Sequence, residues 1–436
     1  MGKSYRPYYP DEDLLLPPSL REWLPENHLA YFVSDVVDQL DLSAMDAVYG
    51  SEKRGQPPYD PRMMTKLLVY GYCVGVFSSR RMEKRLREDI AFRVLAADNQ
   101  PNFRTIADFR KIHLATLEGL FEQVLKIALE AGAMKIGRVA LDGTKIKANA
   151  SKHKAMSYGR MREKEKDLRR QVKDLLAQAE TADADEDARH GRDQRGDELP
   201  EELTRRETRL KKIREAKRAL EERAREKAAA EGQAEEPAKP KDKDQYNFTD
   251  PQSRIMMGAD GIVQGYNAQA AVEPDLQLIV GQNVTAASND KQQLVPMLET
   301  IEQQSGQRPT EVLADSGYCS EKNLEALESA KRPEQRIEGY IATERLHHDE
   351  YKQPCPKGPL PKNATRVDRM RRKLKTKAGK AIYAARKTIV EPVFGQIKQA
   401  RGFRQFLLRG IDKVRGEWSL VCLTHNVLKL HRLCYE

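Results

Sequence analysis

Long apolar runs are missing from this chain: nowhere in its 436 residues do apolar side chains approach the ~18 in succession that a membrane-spanning helix needs. The opening stretch, MGKSYRPYYPDEDLLLPPSL, has three consecutive leucines as its longest apolar run, too short for a signal-peptide core. Cysteine is scarce and unpaired. The five (Cys73, Cys319, Cys355, Cys422 and Cys434) are odd in number, widely spaced and without a CxxC pair, which argues against a disulfide scaffold and for a reducing, cytoplasmic setting. No GxxxxGK[ST], GxGxxG or GxSxG string occurs, so a P-loop, a dinucleotide fingerprint and a serine elbow are unsupported.

What the chain has is charge. There are 76 Lys and Arg against 66 Asp and Glu, a net +10. Residues 366–415 alone hold sixteen Lys and Arg against three acids, Asp368, Glu391 and Asp412, so the remainder is close to neutral overall. A basic tract of this density suits contact with a phosphate backbone, where each neutralised phosphate releases counterions. A solvated helical face or a disordered basic linker is the ordinary alternative.

The texture divides the chain into four stretches. Residues 1–135 read as a helical domain with DNA-binding character. Leu29, Phe32, Val33, Val36, Val37 and Leu40 recur at helical spacing, and Pro61 opens a second helix with Asp60 as its cap. SSRRMEKRLRED follows as a cationic amphipathic helix with Met82, Leu86 and Ile90 inward, and FRTIADFRKIH as another carrying Arg104, Arg110, Lys111 and His113. Two such helices fit a helix-turn-helix-like unit or an ordinary bundle equally well. Residues 136–151 contain a strand, Val139 to Leu141, ending on Asp142. Residues 152–245 turn to charged, alanine-rich sequence with Leu168, Val172, Leu175, Leu176, Leu203, Leu210, Ile213, Leu220 and Ala224 at three-four spacing. That predicts an inserted antiparallel coiled-coil hairpin. Residues 246–436 return to strands and helices, the pattern of a mixed α/β sheet, and end in basic helices, with residues 416–434 apolar on one side.

Three acids carry the chemistry. Asp142 and Asp315 each end a predicted strand just before Gly143 or Ser316-Gly317, and acids at strand ends point into the crevice where α/β sheets place ligands. An aspartate before glycine is also a common turn former. Glu391 shares a helical face with Lys387 and Lys398, opposite Ile389, Val390, Val393, Phe394 and Ile397, where it either coordinates a metal or makes a salt bridge of a few tenths of a kcal/mol. Pro392 beside it predicts a helix start or a kink. Converging oxygen ligands select Mg²⁺ or Mn²⁺, and two such ions clamp both oxygens of a phosphoryl transfer. His347, His348 and Cys355 lack a fourth spaced ligand for zinc, and His425 and His431 read as packing or backbone-contact residues.

The strings DGTKIKANASK (142–152), GYNAQAAVE (265–273), VLADSGYCSEKNL (312–324) and RKTIVEPVFGQIK (386–398) resemble the landmark motifs of bacterial DDE-type insertion-sequence transposases, of the IS-four/IS-five-like group. The resemblance spans nearly the whole chain. It implies an RNase H-like mixed β-sheet core, an all-α N-terminal domain, and Asp142, Asp315 and Glu391 as ligands of two Mg²⁺ (or Mn²⁺) ions. The implied reaction is cleavage at the terminal inverted repeats of an insertion sequence and strand transfer into target DNA, by a homodimer on double-stranded DNA associated with the nucleoid. The signature around the third acid (Tyr, two residues, Arg, three residues, Glu, six residues, Lys) is met by Glu391 and Lys398. Tyr383 and Arg386 keep their mutual spacing, but Lys387 occupies the position four before the glutamate. Arg386, Lys387, Lys398, Tyr383, Arg104 and Arg110 are thus the candidate DNA contacts. A nuclease that cuts without joining and a non-catalytic DNA-binding regulator are the competing readings.

Overall fold

The computed structural model describes residues 19–49, 57–151, 154–190, 201–230, 239–258, 261–328, 336–344, 355–356 and 358–435. His347 and His348 lie outside them.

Apolar residues at three-four spacing build α1 (Leu29–Asp38), which buries Ala30, Val33, Val36 and Val37. After α2 (Ser43–Tyr49), α3 (Pro61–Cys73) starts where the sequence predicts, with the Asp60 carboxylate accepting from the Arg62 and Met63 amides. The cationic helix is shorter than expected. α4 (Ser79–Glu88) buries Met82 and Leu86, but the chain breaks at Asp89, whose side chain caps a separate α5 (Ile90–Leu95). Ile90 therefore begins the next helix, because a short acidic side chain satisfies the freed amides better than it continues a turn. α6 (Phe103–Ile112) and α7 (Leu114–Glu130) complete this region, so the two expected DNA-binding helices, α4 and α6, are neighbours in space but not in sequence.

β1 (Arg138–Lys147) does not end at Asp142. It loses its parallel neighbour after Leu141 but stays paired to an antiparallel one as far as Lys147. The insertion follows as β2 (Ala155–Ser157), α8 (Tyr158–His190), α9 (Glu201–Ala230) and β3 (Gln245–Asn247). Then come β4 (Arg254–Gly258), β5 (Gly261–Val272), β6 (Ile279–Thr285), α10 (Leu294–Ser305), β7 (Glu311–Ala314), α11 (Glu321–Glu328) and β8 (Glu338–Ile341). The sheet order is β4-β5-β1-β7-β8, with β6 also on β5. β1, β7 and β8 are mutually parallel and the rest antiparallel, which is an RNase H-like mixed sheet. Gly265 lets β5 and β1 meet, since a Cβ there would lie 2.3 Å from the Ile146 carbonyl oxygen. Gly265→Ala is expected to cost about 1–3 kcal/mol, read as a lower urea midpoint at unchanged slope.

The basic C-terminal part forms α12 (Arg366–Lys375), α13 (Lys377–Gly395), a π-helical turn (Gln396–Ala400) and α14 (Ile411–Tyr435). α13 runs straight through Pro392. The Thr388 carbonyl, which proline leaves without its helical donor, instead accepts from Gln277 Nε2 at 2.9 Å. Part of the expected DNA-facing charge is already neutralised, because Arg366 pairs with Glu325 and Glu328, and Arg371 with Glu344 and Asp368.

α14 is buried around its whole circumference over residues 416–427, not on one side. It lies between β6 and the N-terminal helices α3 and α7, so every side chain it carries must find a partner. Glu417 accepts from Leu407 N, Leu408 N and Tyr72 Oη; Asn426 pairs with both backbone groups of Ile279; Trp418 Nε1 donates to the Gln269 carbonyl. One continuous apolar core consequently joins the N-terminal helices to the sheet.

α8 and α9 lie antiparallel, with Tyr158 Oη on Glu221, Glu165 between Arg214 and Lys217, and Arg206 on Gln171. Met161, Leu168, Leu210, Ile213, Ala216 and Leu220 form their shared core, while Leu176, expected in the stripe, is 40% exposed. The β2–β3 ladder closes the base.

Candidate active site

The β1–β7 register pairs Leu141 with Ala314, so the next residues, Asp142 and Asp315, sit side by side where the parallel pairing stops. Asp142 Oδ1 accepts from the Gly143 amide at 2.8 Å and Oδ2 from Arg386 Nη1 at 3.0 Å. Asp315 caps a short 3₁₀ turn, accepting from the Gly317 amide at 2.8 Å. Burial raises the Asp142 carboxyl to about 6, with Asp315 adding to the rise and Arg386 opposing it. Two adjacent carboxylates in a poorly solvated place lack positive charge, and Arg386 supplies part of it.

A second polar cluster, unmarked in the motifs, backs this pair. Asp290 Oδ1 accepts from Asn267 Nδ2 and Gln269 Nε2, each at 2.7 Å, and its Oδ2 lies 3.6 Å from Lys145 Nζ. Tyr318, fully buried, donates to Gln269 Oε1. Gly143 has no room for a side chain, since a Cβ would lie 2.3 Å from Gln269 Nε2 and 2.8 Å from Asp290 Oδ1. The available signal was the alternation of Asn267 and Gln269 with alanines in NAQAAV, two buried polar positions on one strand face. Asp290, in the turn-like string SNDKQQ, carried no comparable mark.

The remaining predicted residues are more scattered. On α13, Arg386, Val390 and Val393 face inward, as does Ile397 in the π-helical turn that follows, whereas Lys387 and Glu391 are exposed. Lys398, half-buried, donates to the Lys145 carbonyl at 3.2 Å. Among the described residues no three His, Cys, Asp or Glu side chains are grouped to hold one ion, so Glu391 is not gathered in with Asp142 and Asp315. Tyr383 is half-buried against the core. Arg104 is exposed on α6. Arg110 is a correction. It is 6% exposed and donates to Tyr72 Oη and the Phe77 carbonyl, turned inward by the buried Glu417 behind Tyr72, so it offers no phosphate contact. Arg386 likewise spends its guanidinium on Asp142 and not on a surface. His425 and His431 are packing residues as expected, bonded to Gln277 O and Asn27 O.

The Asp142–Asp315 pair suits a hard divalent cation, because its donors are all carboxylate oxygens and the nearby Arg386 leaves them under-neutralised.

Two family models match the chain. A transposase domain (DUF772) covers residues 18–112 and the transposase DDE domain covers residues 239–427, together nearly two thirds of the sequence. No curated protein and no solved structure matches it. The chain belongs to the DDE-type insertion-sequence transposases: its function is DNA transposition, its substrate DNA, and its DDE domain an enzymatic one. Asp142 and the hairpin fall between the two matched stretches, and β1 is what carries Asp142 into the matched sheet. Among the described residues no helix is long and apolar enough to cross a membrane.

Proposed function

We propose that this transposase, of the IS-four/IS-five-like group, binds the terminal inverted repeats of its own element, cuts there with divalent metal, and joins the freed 3′ end to target DNA. The observation that carries the reading is the side-by-side placement of Asp142 and Asp315 where the pairing of the central parallel strands β1 and β7 stops. In this reading the two aspartates hold two Mg²⁺ (or Mn²⁺) ions, with Glu391 on α13 as the third ligand. Bound there, the metal supplies Lewis acidity and a lowered pKa for the attacking hydroxyl. Arg386 holds the Asp142 carboxylate in place, and the Asp290–Lys145 cluster backs both Asp142 on β1 and the turn after β7 that bears Asp315. Lys387, Lys398 and Arg104 hold DNA phosphates, with Tyr383 beside them. Cutting both element ends together requires two such sites, hence a homodimer on DNA.

The test is cleavage and joining on a labelled duplex bearing the element's terminal repeat, with Mg²⁺ and with EDTA. Metal-dependent 3′ nicks plus joined products are expected, in a complex whose solution mass contains two protomers. Nicks never followed by joining would replace this reading with the nuclease, and binding without cleavage with the regulator. A complex containing one protomer would overturn the dimer.

A further inference from the structure

The inserted hairpin hides its charge. Over residues 154–177 and 204–229, the base-proximal part, it holds nineteen Lys and Arg against nine acids; residues 178–203 hold three Lys and Arg against ten acids. The sequence-wide balance cancels a stem of +10 against a segment of −7, which is why the basic tract at residues 366–415 alone stood out.

The structure makes the stem a surface. On α8, Arg162, Lys166, Arg169 and Lys173 follow one another at four-three-four spacing, hence along one flank, for about 16 Å; Arg162 pairs with Asp242 and Arg169 with Glu165, while Lys166 and Lys173 have no ion pair among the described residues. On α9, Lys211, Lys212 and Arg218 are exposed beside Arg209. The stem's one buried acid, Glu165, is surrounded by Arg169, Arg214 and Lys217, so it neutralises cations at the helix–helix seam and Arg169 beside it, and leaves Lys166 and Lys173 on the flank untouched. Lys166, Lys173, Arg209, Lys211, Lys212 and Arg218 have no ion pair among the described residues. The stem is also tied to the catalytic sheet. Its base is the β2–β3 ladder, Asn247 Nδ2 donates to the Ser151 carbonyl, and Arg223 donates to the Pro251 carbonyl just before β4.

We propose that the α8–α9 stem is a duplex-binding arm, which grips the DNA phosphate backbone beyond the cleavage site. The inference rests on the DNA-cutting reading above and extends it to a second contact surface. Like charges at this density repel one another, and a rod of phosphates at one charge per ~1.7 Å is the counter-charge they fit. The acidic segment repels the same backbone, which confines the grip to the stem.

The full-length protein carrying Lys166→Gln, Lys173→Gln, Arg209→Gln, Lys211→Gln, Lys212→Gln and Arg218→Gln is titrated with the terminal-repeat duplex over a range of salt concentrations. Asp142→Asn serves as a control whose stem is intact. The six-site variant is expected to bind at least tenfold more weakly at ~0.1 M salt. Its plot of log affinity against log salt should flatten by about 0.9 for each phosphate that the stem no longer neutralises. Its circular dichroism should match wild type, since all six side chains are exposed. A slope equal to wild type overturns the arm; if the dimer mass is lost along with it, the stem is a protein–protein surface instead. Failure of the wild type to cleave sinks the cutting reading instead, and leaves the slope comparison to decide the arm by itself.

Discussion

Asp142→Asn and Asp315→Asn are each expected to remove metal-dependent cleavage by at least ~10²–10³-fold, the scale seen when one group that stabilises transition-state charge is lost. DNA affinity should be kept, because neither side chain lies on the basic surfaces. The same carboxylate gives a second readout that needs no turnover. Burial raises Asp142 from 3.8 to about 6, so without metal its contribution to stability is complete below the unfolded value and lost as pH rises through the folded one. A divalent cation needs the ionised form and gains affinity over the same interval. Mg²⁺ should therefore raise the melting temperature at about pH 7.5 and hardly at about pH 5, and Asp142→Asn should lose most of that difference. A melting temperature indifferent to Mg²⁺ at about pH 7.5 would show that the pair does not hold the ion.

Glu417→Ala carries the largest expected loss of stability. Glu417 is fully buried and serves two backbone amides in the turn before α14 as well as Tyr72 on α3. Tyr72 in turn accepts from Arg110, which is itself buried. Removing the carboxylate strands an uncompensated guanidinium and three donors at once, an effect on the order of 3–5 kcal/mol. Glu417→Gln keeps an acceptor for the amides and should cost less. The urea midpoints of the two variants check the order. Equal midpoints would mean that the charge on Glu417 does nothing to hold Arg110.

Much of this was legible in the residues. Asp60-Pro61 marked a helix start because its chemistry is local, and the three-four repeats of the insertion marked two helices because nothing else they pack against competes. Asp142 and Asp315 could be singled out by their position before glycine in short β-rich runs. The errors arise where a distant partner decides. β1 continues past Asp142 because β5 is there to pair with it. Arg110 and Arg386 resemble surface cations until Glu417 and Asp142, far away in sequence, turn them inward. Asp290 has no local mark at all; its role comes from Asn267, Gln269 and Lys145, which the sheet brings to it. α14 reads as amphipathic only if one forgets that a second layer of helices covers its polar side.

That second layer has a mechanical consequence. Because α14 shares one core with α3, α7 and the sheet, a continuous apolar core runs from the α4–α6 unit to the strand that bears Asp142. A reader of element ends built on that unit would behave as a caliper. The number of base pairs between the recognised sequence and the cut would be set by the solid of the protein and would stay constant however the DNA beyond it varies.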